Sequence, residues 1–445
     1  MLLNLTEEQI VQLAPDASSV KAAKGLATES KWILRASGTR ALWGHCQGSG
    51  KTPYQTVIDT QDLAFKCSCP SRKFPCKHGL GLLLLYAARP ELFGAADEPE
   101  WISEWLAKRD QKAEKKEQKA KGDAPVDEAA QARRQAQRHK NVMQGIDDLQ
   151  VWLKDLLRNG LLQVPERADK LFEGMARRMV DAQAPGLAGR LRALGEMDFT
   201  GESWKALLTE RLGKLWLLTE AYRHLERRSE AWQCEIRTLI GYPQTKEEVL
   251  AGEAVADRWM VLHKRVRRVD QLKVESYWLY GERSGRMAVY LEFLAPKKIP
   301  EMSLVPGDFY DGELCFYSGV GSLRALFRSH QRVGEGGFVP AACSGLEEAA
   351  ARYRAAVGEN PFIDEVPTVV DGLRLAEDGT RSWVVDAEGK RFPVRIREEI
   401  RIPLLVTTGG KPFRGFLLAD EEGWELLSIW NQPNDEFYCW RDERD

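Results

Sequence analysis

Residues 67–78 read Cys67-Ser-Cys69-Pro-Ser-Arg-Lys-Phe-Pro-Cys76-Lys-His78, and the rest of the chain is organised around them. Four metal-ligand side chains fall within twelve positions. Cys67 and Cys69 bracket one residue, and after a six-residue spacer Cys76 and His78 bracket another. Three thiolates and an imidazole make a closed tetrahedral shell of the kind zinc prefers. Thiolates are soft ligands, which disfavours magnesium and calcium. Four protein ligands leave no open position for water, so one structural Zn2+ is expected rather than a catalytic one. Pro70 and Pro75 stiffen the spacer and reduce the entropy lost when metal closes it. Lys66, Arg72, Lys73 and Lys77 surround a centre of net negative charge and help keep its thiols ionised. The competing reading, four unrelated core residues, fits poorly with charged side chains between the ligands.

The flanks give the stretch its setting. Leu63-Ala-Phe-Lys-Cys67 reads as the strand that carries the first ligands. Trp32-Ile-Leu-Arg-Ala, Ala41-Leu-Trp-Gly-His-Cys and Tyr54-Gln-Thr-Val-Ile-Asp read as further strands between glycine-rich turns. A helix is expected from Cys76 to Ala88, its first turn holding Cys76 and His78, and Pro90 ends it. Two helices precede the strands. One is capped by Thr6, with acids in its first turn, and the other covers about Ser18 to Ala27. The finger is therefore the end of a small sheet rather than a free-standing bead.

Cys-x-Cys, a spacer and Cys-x-His, followed by the apolar run Gly79-Leu-Gly-Leu-Leu-Leu-Leu-Tyr86, resembles the SWIM zinc finger. That family's finger is a short hairpin followed by a helix, and its four ligands match Cys67, Cys69, Cys76 and His78. The rest of the chain is similar to the long bacterial SWIM-containing proteins. The resemblance implies a finger that binds DNA or protein. For the long bacterial type it also implies partnership with a MoxR-type AAA+ ATPase and a von Willebrand A-domain protein.

A decoy lies nearby. Gly48-Ser-Gly50-Lys51-Thr52 looks like the end of a phosphate-binding loop. The full pattern needs a glycine where His45 stands, and Pro53 and an alternating strand follow where a helix is required. A hairpin turn is expected instead. His45 and Cys46 lack a partner pair and read as a strand end.

Beyond this first module, residues 1–107, the pattern changes three times. Residues 108–138 are rich in Lys, Glu, Gln and Ala and are too polar to form a core, so they read as a solvated helix or, in preference, a charged flexible linker. Their lysines are interleaved with acids, which favours a tether over a nucleic-acid-binding arm. Residues 139–250 carry leucine stripes at helical spacing, such as Ile146, Leu149, Leu153 and Leu156, and read as a bundle of four to six helices. Trp152, Trp204, Trp216 and Trp232 are expected in its core. Residues 255–445 turn strand-like, with Trp259–Val266, Leu272–Tyr280, Met287–Phe293 and Gly423–Trp430 the clearest runs. Leu404-Leu-Val also reads as a strand, and Leu346 to Val357 as a helix. The basic cluster His263-Lys264-Arg265-Val-Arg267-Arg268 reads as an exposed strand edge blunted by charge. The expected fold class is α+β multidomain: a ββα-type zinc module on a short sheet, a helical middle, and a β-rich C-terminal domain shaped as a barrel or curved sheet.

Bulk properties narrow the function. A chain of 445 residues with 43% hydrophobic content supports several ordinary cores. The formal net charge of −2 provides no global field toward nucleic acid, so any such contact needs a local patch. The eight cysteines lack a disulfide-framework pattern and suit a reducing cytoplasm. The first residues lack the features of a signal peptide, and the longest apolar run is too short to span a membrane. A cytoplasmic location without membrane contact is expected. No nucleophile motif or paired acid–base spacing occurs, so a non-enzyme is expected. Two functions remain. In one the finger binds nucleic acid, with Lys66, Arg72, Lys73 and Lys77 on phosphates and Phe74 stacked on a base. In the other the chain is a protein-binding adaptor without nucleic acid.

Overall fold

Around the metal-ligand stretch the chain builds a layer of helices on a sheet. The computed structural model describes residues 5–48, 52–61, 63–71, 73–119, 128–201, 203–269, 272–295, 300, 302–334, 337–378, 381–432, 434–440 and 442–444. Thr6 caps α1 (Glu7–Gln12) in a capping box with Gln9, and Asp16 caps α2 (Ala17–Lys24). Strands β1 (Trp32–Ser37), β2 (Ala41–Cys46), β3 (Tyr54–Asp59) and β4 (Ala64–Cys67) pair antiparallel in sequence order. Cys46 faces Tyr54 across β2 and β3, so the decoy phosphate loop connects a hairpin. Its residues 49–51 lie outside the described ones. Helix α3 (Lys77–Ala88) packs against this sheet, and β5 (Gly94–Ala95) runs parallel to β1.

Helix α3 has no polar face along most of its length. His78 to Tyr86 are all buried, because α1 and α2 cover the side that the sheet does not. Each of its buried leucines is worth about 1.5–3 kcal/mol in transfer free energy, which makes the helix the centre of the module's core. The close approach to α2 depends on Gly81. A Cβ there would stand 2.9 Å from Leu26 Cβ and 3.1 Å from the Ala23 carbonyl. Gly81→Val is therefore expected to cost about 1–3 kcal/mol by overpacking. Gly94→Ala, where a Cβ meets nothing within 4 Å, is expected to stay within about 0.5 kcal/mol. Thermal unfolding of the two variants checks the difference.

The stretch 108–138, expected as a flexible linker, is helical over most of its described length. Helix α4 (Glu100–Lys119) covers its start and α5 (Glu128–Arg158) its end, while residues 120–127 lie outside the described ones. Lys, Glu, Gln and Ala are strong helix formers, so low hydrophobicity removes the core without removing the helix. The first turns of α4 are anchored by Ile102 and Leu106, which pack on Ala36, Trp43 and Val57 of the sheet.

Helices α6 (Ala168–Asp181), α7 (Pro185–Gly195), α8 (Trp204–Arg223) and α9 (Glu230–Ile240) pack with α5 as a bundle. Its core includes Ile146, Leu149, Phe172, Leu191, Leu208 and Ile236. Trp204 is buried, and Trp152, Trp216 and Trp232 pack half-buried against that core. A short α10 (Lys246–Ala251) leads into the β region.

That region is a pair of barrels. The first contains β6 (Ala254–Val269), β7 (Leu272–Gly281), β8 (Met287–Leu294), β9 (Phe309–Phe316) and β10 (Arg324–Gly334). Strand β6 pairs with both β7 and β9, β9 pairs with β10, and β10 runs parallel to β8, which closes the sheet. After α11 (Leu346–Glu359) comes the second, with β11 (Val366–Asp378), β12 (Arg381–Val385), β13 (Arg391–Arg395), β14 (Phe413–Asp420) and β15 (Gly423–Asn431). Here β11 pairs with β12 and β14, and β13 runs parallel to β15. Helix α12 (Glu398–Thr408) lies between the third and fourth strands of this barrel. Both units share one strand order, first-second-third-fifth-fourth-first, with a parallel seam between third and fifth. This is the five-stranded Greek-key order of an OB-type barrel. The first strand of each reaches two partners because it is long and bent. Register shifts occur at Val261/His263 and at Val370/Leu373, the latter beside Gly372 at φ +67°. Strand β16 (Glu436–Cys439) extends β15, and β17 (Asp442–Arg444) returns to pair with β6.

Two expectations are corrected here. Leu404-Leu-Val belongs to α12, where Ile400, Leu404 and Thr408 are buried at a spacing of four. A short apolar run alone does not separate strand from helix. The basic cluster 263–268 is not a strand edge, because β6 is paired on both sides there. Lys264 reaches Glu275 at 2.9 Å and Arg265 is buried. Among the described residues, no helix is long and apolar enough to cross a membrane.

Candidate metal centre

Strand β4 delivers Cys67 at its last residue, and the chain turns through Cys69 to the start of α3. Cys76 is the N-cap of α3 and His78 lies in its first turn. The ligand atoms of Cys67, Cys69, Cys76 and His78 all lie within 4.8 Å of one another. His78 Nδ1 is 3.7 Å from Cys67 Sγ. Ligands bound at 2.0–2.3 Å around one tetrahedral zinc stand about 3.5–3.8 Å apart, so the cluster needs only a slight contraction to close on the ion. The donor set, the spacing and the enclosure fit one structural Zn2+.

The surroundings hold these ligands in place. The Thr56 hydroxyl hydrogen-bonds Cys67 Sγ at 3.2 Å, from the residue facing Cys67 across β3 and β4. The Tyr54 and His78 rings lie 4.8 Å apart, centre to centre. A Cβ on Gly79 would come within 2.8 Å of Phe65, so glycine lets the start of α3 settle onto β4. Sequence reasoning missed Thr56 and Tyr54, since only the strand register brings them to the site.

The thiols do not ionise alike without metal. The hydrogen bond from Cys76 holds the Cys67 thiol down to about 4 despite burial, with His78 and Thr56 assisting. The same bond pushes Cys76 well up, as does burial, and burial raises Cys69. Crowding thus favours ionisation of Cys67 over that of Cys69 and Cys76. Zinc requires all three as thiolates. Uptake by the metal-free protein at pH 7 is therefore expected to release protons from Cys69 and Cys76 and, where the metal-free module is unfolded, from Cys67 as well. The sign follows: both folded values are raised, so protons compete with zinc, and zinc affinity rises with pH through the neutral range. Proton release into a weakly buffered indicator measures it, and a value near three would place a proton on Cys67 as well.

The other candidate residues are distributed less simply. Lys66 is exposed and stands 5.9 Å from the Trp101 ring centre. Lys73 is tied to Asp16 at 2.7 Å and to the Ser18 hydroxyl at 2.8 Å. Phe74 is half-buried, edge-on to Phe65 at 6.0 Å. Lys77 is exposed on the first turn of α3, and Arg72 lies outside the described residues. Cys46 is buried and is not one of the clustered ligands, and burial, with the nearby Cys67 adding to it, pushes its thiol up to about 11, which suits an inert core residue.

Fold and site together define a zinc-finger protein whose metal joins a small sheet to a buried helix. Residues 62–87 match the SWIM zinc finger, and residues 137–240 match the SWIM-associated four-helix bundle domain. The chain thus carries a SWIM zinc finger and its associated four-helix bundle domain. No curated protein and no solved structure matches it.

Proposed function

We propose that this chain is a non-catalytic cytoplasmic binding protein whose zinc is structural and whose zinc module meets a nucleic acid or a protein partner. The observation that carries the reading is the closed Cys3His shell, made of four protein ligands at the junction of β4 and α3. Such a shell has no position for a substrate or a reactive water, so the metal holds a surface rather than performing chemistry. For nucleic acid, the exposed cations are Lys66, Lys73 and Lys77, of which Lys73 is paired with Asp16. The second reading is a protein adaptor working with a MoxR-type AAA+ ATPase and a von Willebrand A-domain protein. It gains support from Phe74, which packs edge-on to Phe65, and from Lys73, whose charge is already paired with Asp16 at the surface.

The deciding experiment combines zinc analysis with a salt titration of DNA and RNA binding. One zinc per chain, with steeply salt-dependent binding weakened by Lys66→Glu and Lys77→Glu, supports nucleic acid at the module. One zinc, with binding insensitive to those changes, turns the reading to a protein partner.

A further inference from the structure

The two barrels use their equivalent faces differently. In the first, strands β6 and β7 turn Met260, Leu262 and Trp278 outward, where they are buried with Phe416, Leu427 and Trp430 of the second. The second barrel makes that contact through β14, β15 and the first half of β11. This leaves the outer face of β12, β13 and the second half of β11 open. Register places Arg374, Val385 and Arg391 in one cross-strand row and Ala376, Trp383 and Pro393 in the next. Strand spacing sets Arg374 and Arg391 about 10 Å apart, with Trp383 one row along. Arg381 follows on the same face of β12.

The chemistry of this face is unusual for solvated sheet. Arg374, Arg381 and Arg391 are exposed. Among the described residues, Arg374 and Arg381 have no ion-pair partner, and Arg391 lies over the Trp383 ring, 5.1 Å from its centre. Trp383 is half-buried and stands outside the barrel core. Charge often guards a sheet edge, but β12 is hydrogen-bonded on both sides. One acid, Asp378, stands opposite Arg381 in the register, and others nearby are engaged elsewhere. Glu377 bridges Arg401 at 2.8 Å, Asp420 bridges Arg395, and Glu421 meets Arg211 and Lys214 of the bundle.

We propose that this open face of the second barrel is a binding site for single-stranded nucleic acid. Trp383 and the Arg391 guanidinium stacked over it offer flat surfaces to an unstacked base, and Arg374 and Arg381 take phosphates. A duplex hides its base faces and gains only the charge contacts. The barrel order is consistent with this use, since such barrels bind oligonucleotides on the face around their second and third strands. The site is separate from the zinc module and stands whether or not that module binds anything.

The test uses the full-length zinc-loaded protein and a labelled oligothymidylate of about 15 nucleotides, within the 4–16-nucleotide span of such barrels. Fluorescence anisotropy follows binding across a salt series, against a duplex of equal length. The single strand is expected to bind at least about tenfold more tightly than the duplex. Trp383→Ala is expected to weaken binding by about 5- to 100-fold, and Trp383→Phe to restore most of it. Arg374→Glu and Arg391→Glu should each weaken binding and flatten its salt dependence, with melting temperatures unchanged. Cys69→Ser should leave binding intact. No binding at low salt, equal binding of duplex, equal displacement by polyglutamate, or indifference to Trp383→Ala would each overturn the proposal. Loss in Cys69→Ser with silent barrel variants would overturn it too and would place the site on the zinc module.

Discussion

Cys76→Ser is expected to release the zinc and unfold the first module, while the helical bundle and the barrels stay folded. Serine keeps the size of the side chain but replaces a thiolate with a hydroxyl that zinc binds weakly. Structural zinc supplies about 10–16 kcal/mol of apparent folding free energy in small fingers, as much as or more than the net stability of a typical domain. Here the metal joins β4 to α3, and α3 contributes most of the module's buried leucines. Losing the joint therefore loosens the core itself. The bundle has its own core, and so does each barrel. The module touches the barrels chiefly through Val305, Gln9 with Asp308, and Gln12 with the Cys439 carbonyl. Elemental analysis and limited proteolysis check the result: cleavage should spread through residues 5–106 and spare the remainder. Thr56→Val, which removes only the hydrogen bond to Cys67, is expected to lower zinc affinity about 10–100-fold with the module still folded when loaded. A Cys76→Ser protein that kept one zinc and its protease pattern would show that Cys76 is not a ligand.

The metal ligands were legible because their geometry is local: twelve consecutive residues contain the whole shell. The same holds for the leucine stripes of the bundle and for Thr6 as a cap. What escaped depends on partners far along the chain. Barrel closure pairs β6 with β9, and nothing in either strand names the other. Lys264 and Arg265 look solvated in sequence, yet their carboxylate partners Glu275, Glu365 and Glu425 arrive from other strands and loops. Phe74 looks free to stack on a base until β4 brings Phe65 against it. Arg374, Trp383 and Arg391 are unremarkable one at a time, and only strand register lines them up. Sequence-local chemistry was therefore readable, and register-dependent chemistry was not.

Arg265→Met is expected to cost about 3–5 kcal/mol and to weaken the junction between the barrels. The Arg265 side chain is 1% exposed. Its guanidinium binds Glu365 at 2.6 Å and Glu425 at 3.0 Å. Arg265 stands on β6 of the first barrel and Glu425 on β15 of the second, so the pair crosses the interface. Methionine fills a similar length but takes its closest guanidinium from the buried Glu425 carboxylate, which faces Arg395 across β13 and β15, and the loss of that buried pairing is the main cost. Glu365 is 24% exposed and still meets Arg267 at 3.1 Å, so it remains partly served. Glu365→Gln should therefore cost about 1 kcal/mol or less. The double variant Arg265→Met/Glu425→Met removes both charges and should recover most of the loss, because an apolar pair can replace a buried ion pair at little net cost. Arg265→Lys should recover only part, since an ammonium cannot serve two carboxylates in the fork geometry of guanidinium. Denaturant unfolding followed by tryptophan fluorescence measures the series. If Arg265→Met falls within about 0.5 kcal/mol of the control Arg267→Met at the half-exposed neighbour, the charge is not buried in solution and the two barrels do not dock through this bridge.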